Sequence, residues 1–379
     1  MNKKTIAHMT LGFNLRGGVQ CWINLIAKHC SDRFVHYVLT PNVPPDRPET
    51  ACIVPGFAHA GYDEPNLRRH LAPGELPEIG HRSRFITDEI LSCISDRLKP
   101  NIIVIYGNDA QELFIPACLM HAQSLIVLRV QYHQGLPLQW VERYVDAIIM
   151  FHDNPVLSGL GKPTLELHRT YDDTVFRNVT PFGLRRADAV AYFGRFHELK
   201  GVDAFHQILP VLRKHGKSLH LYATPTPPSA NAGIEALRRQ YPDHVVCHPW
   251  ITDPAALARA NNQYRVVISP GASNNLANTF GQSNLEALAC GAKLIALLDN
   301  DNRARYAHTK GKYLDYEGRL FEAVSHPREM ARAAIESLKT GNAIKNPAVL
   351  REFGISRQRD RIVSFLLDQH ARKFDRNPS

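Results

Sequence analysis

The stretch from Arg265 to Leu298 constrains the fold most. An apolar run, Arg265-Val266-Val267-Ile268-Ser269, ends in the loop Pro270-Gly271-Ala272-Ser273-Asn274-Asn275. Phe280-Gly281 follows, then a helical pattern carrying Glu286 and stopped by Gly291, then a second apolar run from Lys293 to Leu298. Strand, loop, helix and strand in this order make a βαβ unit, and such units build parallel sheets. In open α/β sheets ligands bind at the carboxyl ends of the strands, where loops enter helices. The unpaired N–H groups and positive dipole end of such a helix suit a phosphate. A carboxylate in the first turns, here Glu286, can accept both hydroxyls of a ribose. Together these features point to a site for a sugar nucleotide.

The same alternation of apolar runs and amphipathic stretches fills the chain. Ile6–Leu11 reads as a first strand, Val19–His29 as its helix, and Phe34–Leu39 as a second strand. Residues 41 to 82 are rich in Pro, Gly and charge and read as an irregular excursion. Arg84–Leu98 and Ala110–His121 read as helices, and Asn101–Tyr106, Ser124–Gln131 and Asp146–Phe151 as strands, with a short helix at Leu138–Tyr144. Asn178-Val179-Thr180-Pro181-Phe182-Gly183 has linker chemistry. A second α/β series then runs from Ala189 and ends in helices at Ala331–Lys339 and Ile355–Lys373. At 379 residues the chain has room for two domains of ordinary size.

Composition excludes several classes. The chain has no run approaching the roughly twenty apolar residues of a membrane span. The apolar start is broken by His8, Asn14 and Arg16, so it reads as a strand rather than a signal peptide. The seven cysteines are scattered and show no C-x-x-C spacing, which fits a reduced cytosolic protein without structural zinc. The net charge of +9 leaves two readings open, a solvated basic surface or attraction to an anionic membrane. Nucleic acid is not expected as a partner, because no zinc-finger, helix-turn-helix or RNP-like pattern accompanies the charge.

Other stretches carry chemistry. Gly194-Arg195-Phe196-His197-Glu198-Leu199-Lys200-Gly201 follows the strand that opens the second series. A turn there can bring the Arg195 guanidinium and the Lys200 ammonium onto one diphosphate, where they would stabilise charge developing on a leaving group. Gly17-Gly18 lies between the first strand and first helix and permits close approach of a ligand to the backbone. It is not the G-x-G-x-x-G of a dinucleotide fold. His133 follows a strand end and is a candidate to face a cleft. Trp250, after Val245–His248, is a candidate either to stack on a base or to fill the core. Asp299-Asn300-Asp301 reads as a turn rather than a metal site.

In order along the chain these features resemble the signature of glycosyltransferase family 4, a group of the two-domain GT-B class. The Arg195–Lys200 loop resembles that family's G-R-x-x-x-x-K-G, and Tyr171–Arg177 resembles its segment before the interdomain crossing. Asn278-Thr279-Phe280-Gly281 and Glu286–Ile295 resemble its E-G-F-G-x-x-x-x-E-A-x-A-x-G-x-P-V-I. Among its departures, Asn278 stands where glutamate is usual, Thr279 where glycine is usual, and Lys293 where proline is usual.

The resemblance implies two Rossmann-like, doubly wound domains facing across a cleft. Residues 1–182 would form the acceptor side and 183–355 the donor side, with the helix at about 356–374 a candidate to pack back on the first. It also implies a retaining transferase that moves a hexose from a nucleotide-diphosphate sugar to a hydroxyl of a glycan or lipid-linked acceptor. The expected setting is bacterial envelope polysaccharide synthesis in the cytoplasm, with contact to the cytoplasmic membrane face. Arg195, Lys200 and His133 would be catalytic. Gly17, Gly18, Trp250, Asn278, Phe280, Gly281, Gln282, Ser283, Asn284 and Glu286 would bind the donor, without metal or other cofactor. Two alternatives remain open: a non-catalytic GT-B protein that binds a nucleotide sugar or a partner, and a nucleotide-sugar epimerase on the same fold.

Overall fold

The computed structural model describes residues 3–10, 18–39, 51–53, 93–106, 120–130, 136, 138–151, 154–197, 200–224, 228–273, 281–298, 318, 320–340 and 347–375. These form two compact units, residues 1–168 with 358–379 and residues 169–357. Among the described residues no helix is long and apolar enough to cross a membrane.

The first unit holds a seven-stranded sheet of β1 (Lys4–Met9), β2 (Phe34–Leu39), β3 (Ala51–Ile53), β4 (Ile102–Tyr106), β5 (Leu125–Val130), β6 (Ala147–Met150) and β7 (Thr164–Glu166). The order is β3-β2-β1-β4-β5-β6-β7, and every pairing is parallel. Strand direction of growth reverses between β1 and β4. Helix α1 (Gly18–His29) follows β1, and α2 (Leu138–Tyr144) and α3 (Pro155–Ser158) come later in the chain.

The alternation of side chains along each strand sorts the core. Ala7, Met9, Ile103, Ile105, Ile126 and Leu128 share one face with Trp140 and Val141 of α2. The opposite face carries polar groups that pair among themselves. His8 Nδ1 lies 2.6 Å from the Tyr106 hydroxyl, and His8 Nε2 lies 2.8 Å from His36 Nδ1. Beside them the Arg129 guanidinium sits over the rings of Trp22, Tyr106 and Phe151 at 5.2, 5.6 and 4.3 Å.

The last helix, α10 (Ile355–Phe374), contributes most of its length to this unit. Arg359 donates to the His29 carbonyl at 2.6 Å and pairs with Asp32. Lys373 reaches both Asp146, at 2.6 Å, and the Ser124 carbonyl.

The second unit holds a six-stranded sheet of β8 (Ala189–Arg195), β9 (Ser218–Thr224), β10 (Val245–His248), β11 (Val266–Ser269), β12 (Lys293–Leu297) and β13 (Phe321–Val324), ordered β10-β9-β8-β11-β12-β13. Taken in chain order this is the arrangement 3-2-1-4-5-6 of a doubly wound sheet. Both faces are covered, so its strands read as nearly continuous apolar runs. Ala189, Ala191, Phe193, Val267, Leu294 and Ala296 pack on α6 (Pro254–Asn261) and α7 (Gln282–Ala289). Val190, Tyr192, Leu221, Ile268 and Ile295 pack on α4 (Phe205–Lys214) and α8 (Pro327–Thr340). Helices α5 (Pro228–Gln240) and α9 (Pro347–Arg351) complete the unit. His220, Tyr222, His248 and Tyr264 form a second polar-aromatic cluster, with His220 Nδ1 2.8 Å from the Tyr264 hydroxyl.

Segment 169–182 packs within this unit. Tyr171 bridges to Gly354, and Asn262 accepts from the Val179 and Thr180 amides while donating to the Arg177 carbonyl. Arg185 is 4% exposed and binds the Thr180, Tyr264 and Cys290 carbonyls and the Asn178 side chain. Its contact with Cys290 at 2.6 Å caps the carboxyl end of α7. Gly291 makes this possible, with a left-handed φ of +86° and no room for a Cβ beside Asn178 and Arg185. Cys30 in the first unit and Cys290 in the second are buried free thiols, each pushed up to about 12, chiefly by burial.

Replacing Arg185 by Ala would leave several carbonyls without donors and is expected to destabilise the protein by about 3 kcal/mol. Arg186→Ala, which removes an exposed pair with Asp188, is expected to cost under about 1 kcal/mol. Urea unfolding of both variants checks the contrast, and equal losses would contradict it.

Burial holds His36 and His220 down to about 4 and His8 well below its ordinary value. The folded chain therefore binds fewer protons than the unfolded one between pH 6.5 and about 4. Stability is expected to be full above pH 6.5 and to fall as pH drops toward 4. Melting temperatures between pH 7.5 and pH 4.5 test this, and a flat profile would count against it.

Candidate functional site

The reversal of strand order in the second sheet lies between β8 and β11, which are neighbours through Ala191 and Val267. In open α/β sheets ligands bind outside the carboxyl ends of the strands at such a point. Arg195 ends β8 and Lys200 lies in the loop that follows. The loop after β11 leads through the turn Pro270–Ser273 to α7 and Glu286.

Arg195 is the last residue of β8, and its side chain is exposed. Its carbonyl accepts from the Tyr192 hydroxyl at 2.6 Å, which fixes the strand end. Lys200 is half-buried; its amide donates to the His197 carbonyl at 2.7 Å in the turn that follows. Gly201 continues that turn with a left-handed φ of +69°. The Lys200 ammonium is lowered to about 8, first by burial and then by the charges of Arg169 and Arg195. Three cations thus stand close enough to repel one another, an arrangement that an anion relieves. Nothing in the sequence pattern marks Arg169; only the folding of segment 169–182 against the second unit brings it near.

Gly281 is the N-cap residue of α7 and has no side chain to cap the first turn. The Asn284 amide donates to the Gly281 carbonyl at 3.0 Å. The candidate donors to a phosphate are therefore the amides of Gly281, Gln282 and Ser283, and Asn284 leaves that set. Its side chain instead donates to Ser269 Oγ at 2.9 Å, tying α7 to the end of β11. Glu286 is 2% exposed, one turn further along, and accepts from Gln282 Nε2 at 3.2 Å.

Trp250 is half-buried just after β10, so it is not a fully enclosed core residue. Its neighbour His248 stacks on Tyr222, with ring centroids 4.2 Å apart. In the first unit Gly18 opens α1, next to that sheet's own reversal of order. Gly17, His133, Asn278 and Phe280 lie outside the described residues. Among the described residues no three His, Cys, Asp or Glu side chains converge on a possible metal position.

Residues 187–340 match the family model described as Glycosyl transferases group 1, a span that lies wholly inside the second unit. Over that span the second unit resembles the group 1 glycosyltransferases. Solved structures extend the likeness over the whole chain. Anabaena HepE in complex with UDP-glucose superposes with a TM-score of 0.62 at 11% identity, covering 98% of each chain. The catalytic domain of starch synthase IV from Arabidopsis thaliana, bound to ADP and acarbose, gives 0.62 at 11% identity over 98% of this chain and 99% of its own. A glycosyltransferase from Rickettsia africae gives 0.57 at 11% identity over 97% and 99%. At such identities the likeness is one of fold, and that fold is GT-B. No curated protein matches the chain by sequence.

A diphosphate held by Lys200 would bind in a pH-dependent way, because that ammonium is lowered to about 8. A bound diphosphate would favour the charged ammonium, so binding takes up a proton above pH 8. Affinity for a nucleoside diphosphate is expected to hold from pH 6.5 to 7.5. Above pH 8 it should fall by at most about tenfold per pH unit. Lys200→Arg should flatten the fall. Calorimetric titration at pH 7, 8 and 9 checks it, and the same slope in both proteins would refute the assignment to Lys200.

Proposed function

We propose that this glycosyltransferase moves a hexose from a nucleotide-diphosphate sugar to a hydroxyl of a glycan or lipid-linked acceptor, with retention of anomeric configuration. The observation that carries the reading is the pairing, at one topological switch point, of a cationic loop after β8 with the uncapped N-terminus of α7 after β11. The two elements match the two ends of a nucleoside diphosphate. Arg195 and Lys200 hold the phosphates and stabilise the charge left on them as the glycosidic bond breaks. The amides at the start of α7 add neutral donors to the same charge without a metal ion. Glu286, buried one turn into the helix, takes the ribose hydroxyls. Gly17, Gly18, Trp250, Asn278 and Phe280 are assigned to donor binding, and His133 to catalysis, on the sequence resemblance alone.

A role in envelope polysaccharide synthesis at the cytoplasmic membrane face fits the family match and the net charge of +9. Asn278, standing where the family signature has glutamate, would keep hydrogen bonding to the donor sugar while removing a charge. That substitution favours an unusual donor sugar or, as a second reading, a protein that binds nucleotide sugar without turning it over.

Uridine and adenosine diphosphates and their sugars are the first probes, since HepE and starch synthase IV were solved with UDP-glucose and ADP. At a ligand concentration about a hundredfold above Kd, one of them should stabilise the folded chain by about 2.7 kcal/mol and raise its melting temperature by several degrees. Glu286→Ala should abolish the rise. No rise with any nucleotide would overturn the donor site. A rise without sugar transfer, in the wild type and in Asn278→Glu alike, would favour the non-catalytic reading. Product formed without any acceptor would favour an epimerase.

A further inference from the structure

Two glycines at the donor site face each other across the switch point, and they need to be glycine for different reasons. Gly201 has a left-handed φ of +69°, which side chains disfavour. Gly271 carries no positive φ, so its backbone would suit any residue. What excludes a side chain there is space. A Cβ at Gly271 would stand 2.6 Å from the Lys200 carbonyl oxygen and 2.7 Å from the Lys200 Cα. From the other side, a Cβ at Gly201 would stand 2.2 Å from the Pro270 carbonyl oxygen. The loop after β8 and the loop after β11 therefore touch backbone to backbone. Neither contact is with the yielding end of a long side chain.

We propose that Gly271 is a positioning residue for the diphosphate clamp: its bare backbone lets the Lys200 main chain settle against the turn Pro270–Ser273, and that contact sets where the Lys200 ammonium stands. The inference rests on the function proposed above. Any side chain at Gly271 moves the Lys200 main chain. The Lys200 stem is half-buried, so it cannot swing freely to restore the position of its charge. Ser269, just before that turn, is tied to α7 by the Asn284 side chain at 2.9 Å, so the groups assigned to the phosphates and those assigned to the ribose share one support. A donor gripping both is then recognised by the distance between its diphosphate and its ribose, and not only by each part alone.

The test compares a nucleoside diphosphate with the bare nucleoside, both by calorimetry. Gly271→Ala should weaken the diphosphate about tenfold and leave the nucleoside unchanged, because only the former reaches Lys200. In a Lys200→Ala background, Gly271→Ala should cause no further loss. Gly216→Ala is the control, since Gly216 has φ +62° with open space around it. It carries backbone strain without the contact, and both affinities should stay as in the wild type. If Gly271→Ala does not fold, Gly201→Asn replaces it, since asparagine tolerates a left-handed backbone while adding the clashing Cβ. Unaltered diphosphate affinity overturns the proposal, as does an equal loss for the nucleoside or an equal loss in the Lys200→Ala background. Wild-type protein that binds no nucleoside diphosphate would remove the donor site itself. Binding that Lys200→Ala weakens and Gly271→Ala does not would remove only this inference.

Discussion

A guanidinium cut off from water has to be met by acceptors on every side, and in the second unit Arg185 gathers them from three separate stretches of chain. It holds the Asn178–Thr180 segment, the Tyr264 carbonyl just before β11, and the Cys290 carbonyl at the end of α7. Each alone is an ordinary hydrogen bond. Joined through one buried charge, they tie the start of β11 to the end of α7. Arg265 adds to the same frame, donating to the Phe182, Gly183 and Arg185 carbonyls. The far side of the sheet is thereby tied together by two arginines.

That frame explains why a site can be built from small groups. The place of the site follows from strand order alone, and its chemistry from what the two loops carry. On one side is a cluster of cations that raise each other's energy; on the other is a helix whose N-cap residue, Gly281, has no side chain to satisfy its amides. Asn284 closes the arrangement from within, linking α7 back to Ser269. The helix is almost wholly enclosed, which requires small residues such as Ala287 and Ala289.

Much of this was legible in the sequence, and the limits were physical. Strands buried on both faces announce themselves as apolar runs, so β8, β9, β11 and β12 fell where the pattern put them. Short edge strands with half-exposed side chains do not: β7 and β13 left no clear signal. Residues whose meaning lies in local chemistry, such as Lys200 beside Gly201 or Glu286 within its helix, could be singled out from their immediate neighbours. Arg169, Arg185 and Gly271 could not, because their roles depend on stretches far away in the chain. The His8–His36–Tyr106 chain was hidden for a further reason: alternation predicts which face a residue takes, but not that polar groups on three strands will meet on it.

The enclosed thiols among the described residues, Cys30 and Cys290, have a consequence of another kind. A thiol reacts as its thiolate, and Cys30 and Cys290 are held protonated by their surroundings. Neither can be alkylated while its neighbours stay packed, since both the reagent and the ionised form are shut out. One lies in each unit. The chain therefore carries its own pair of chemical clocks, and the rate at which each sulfur is labelled reads how often its own unit opens to water.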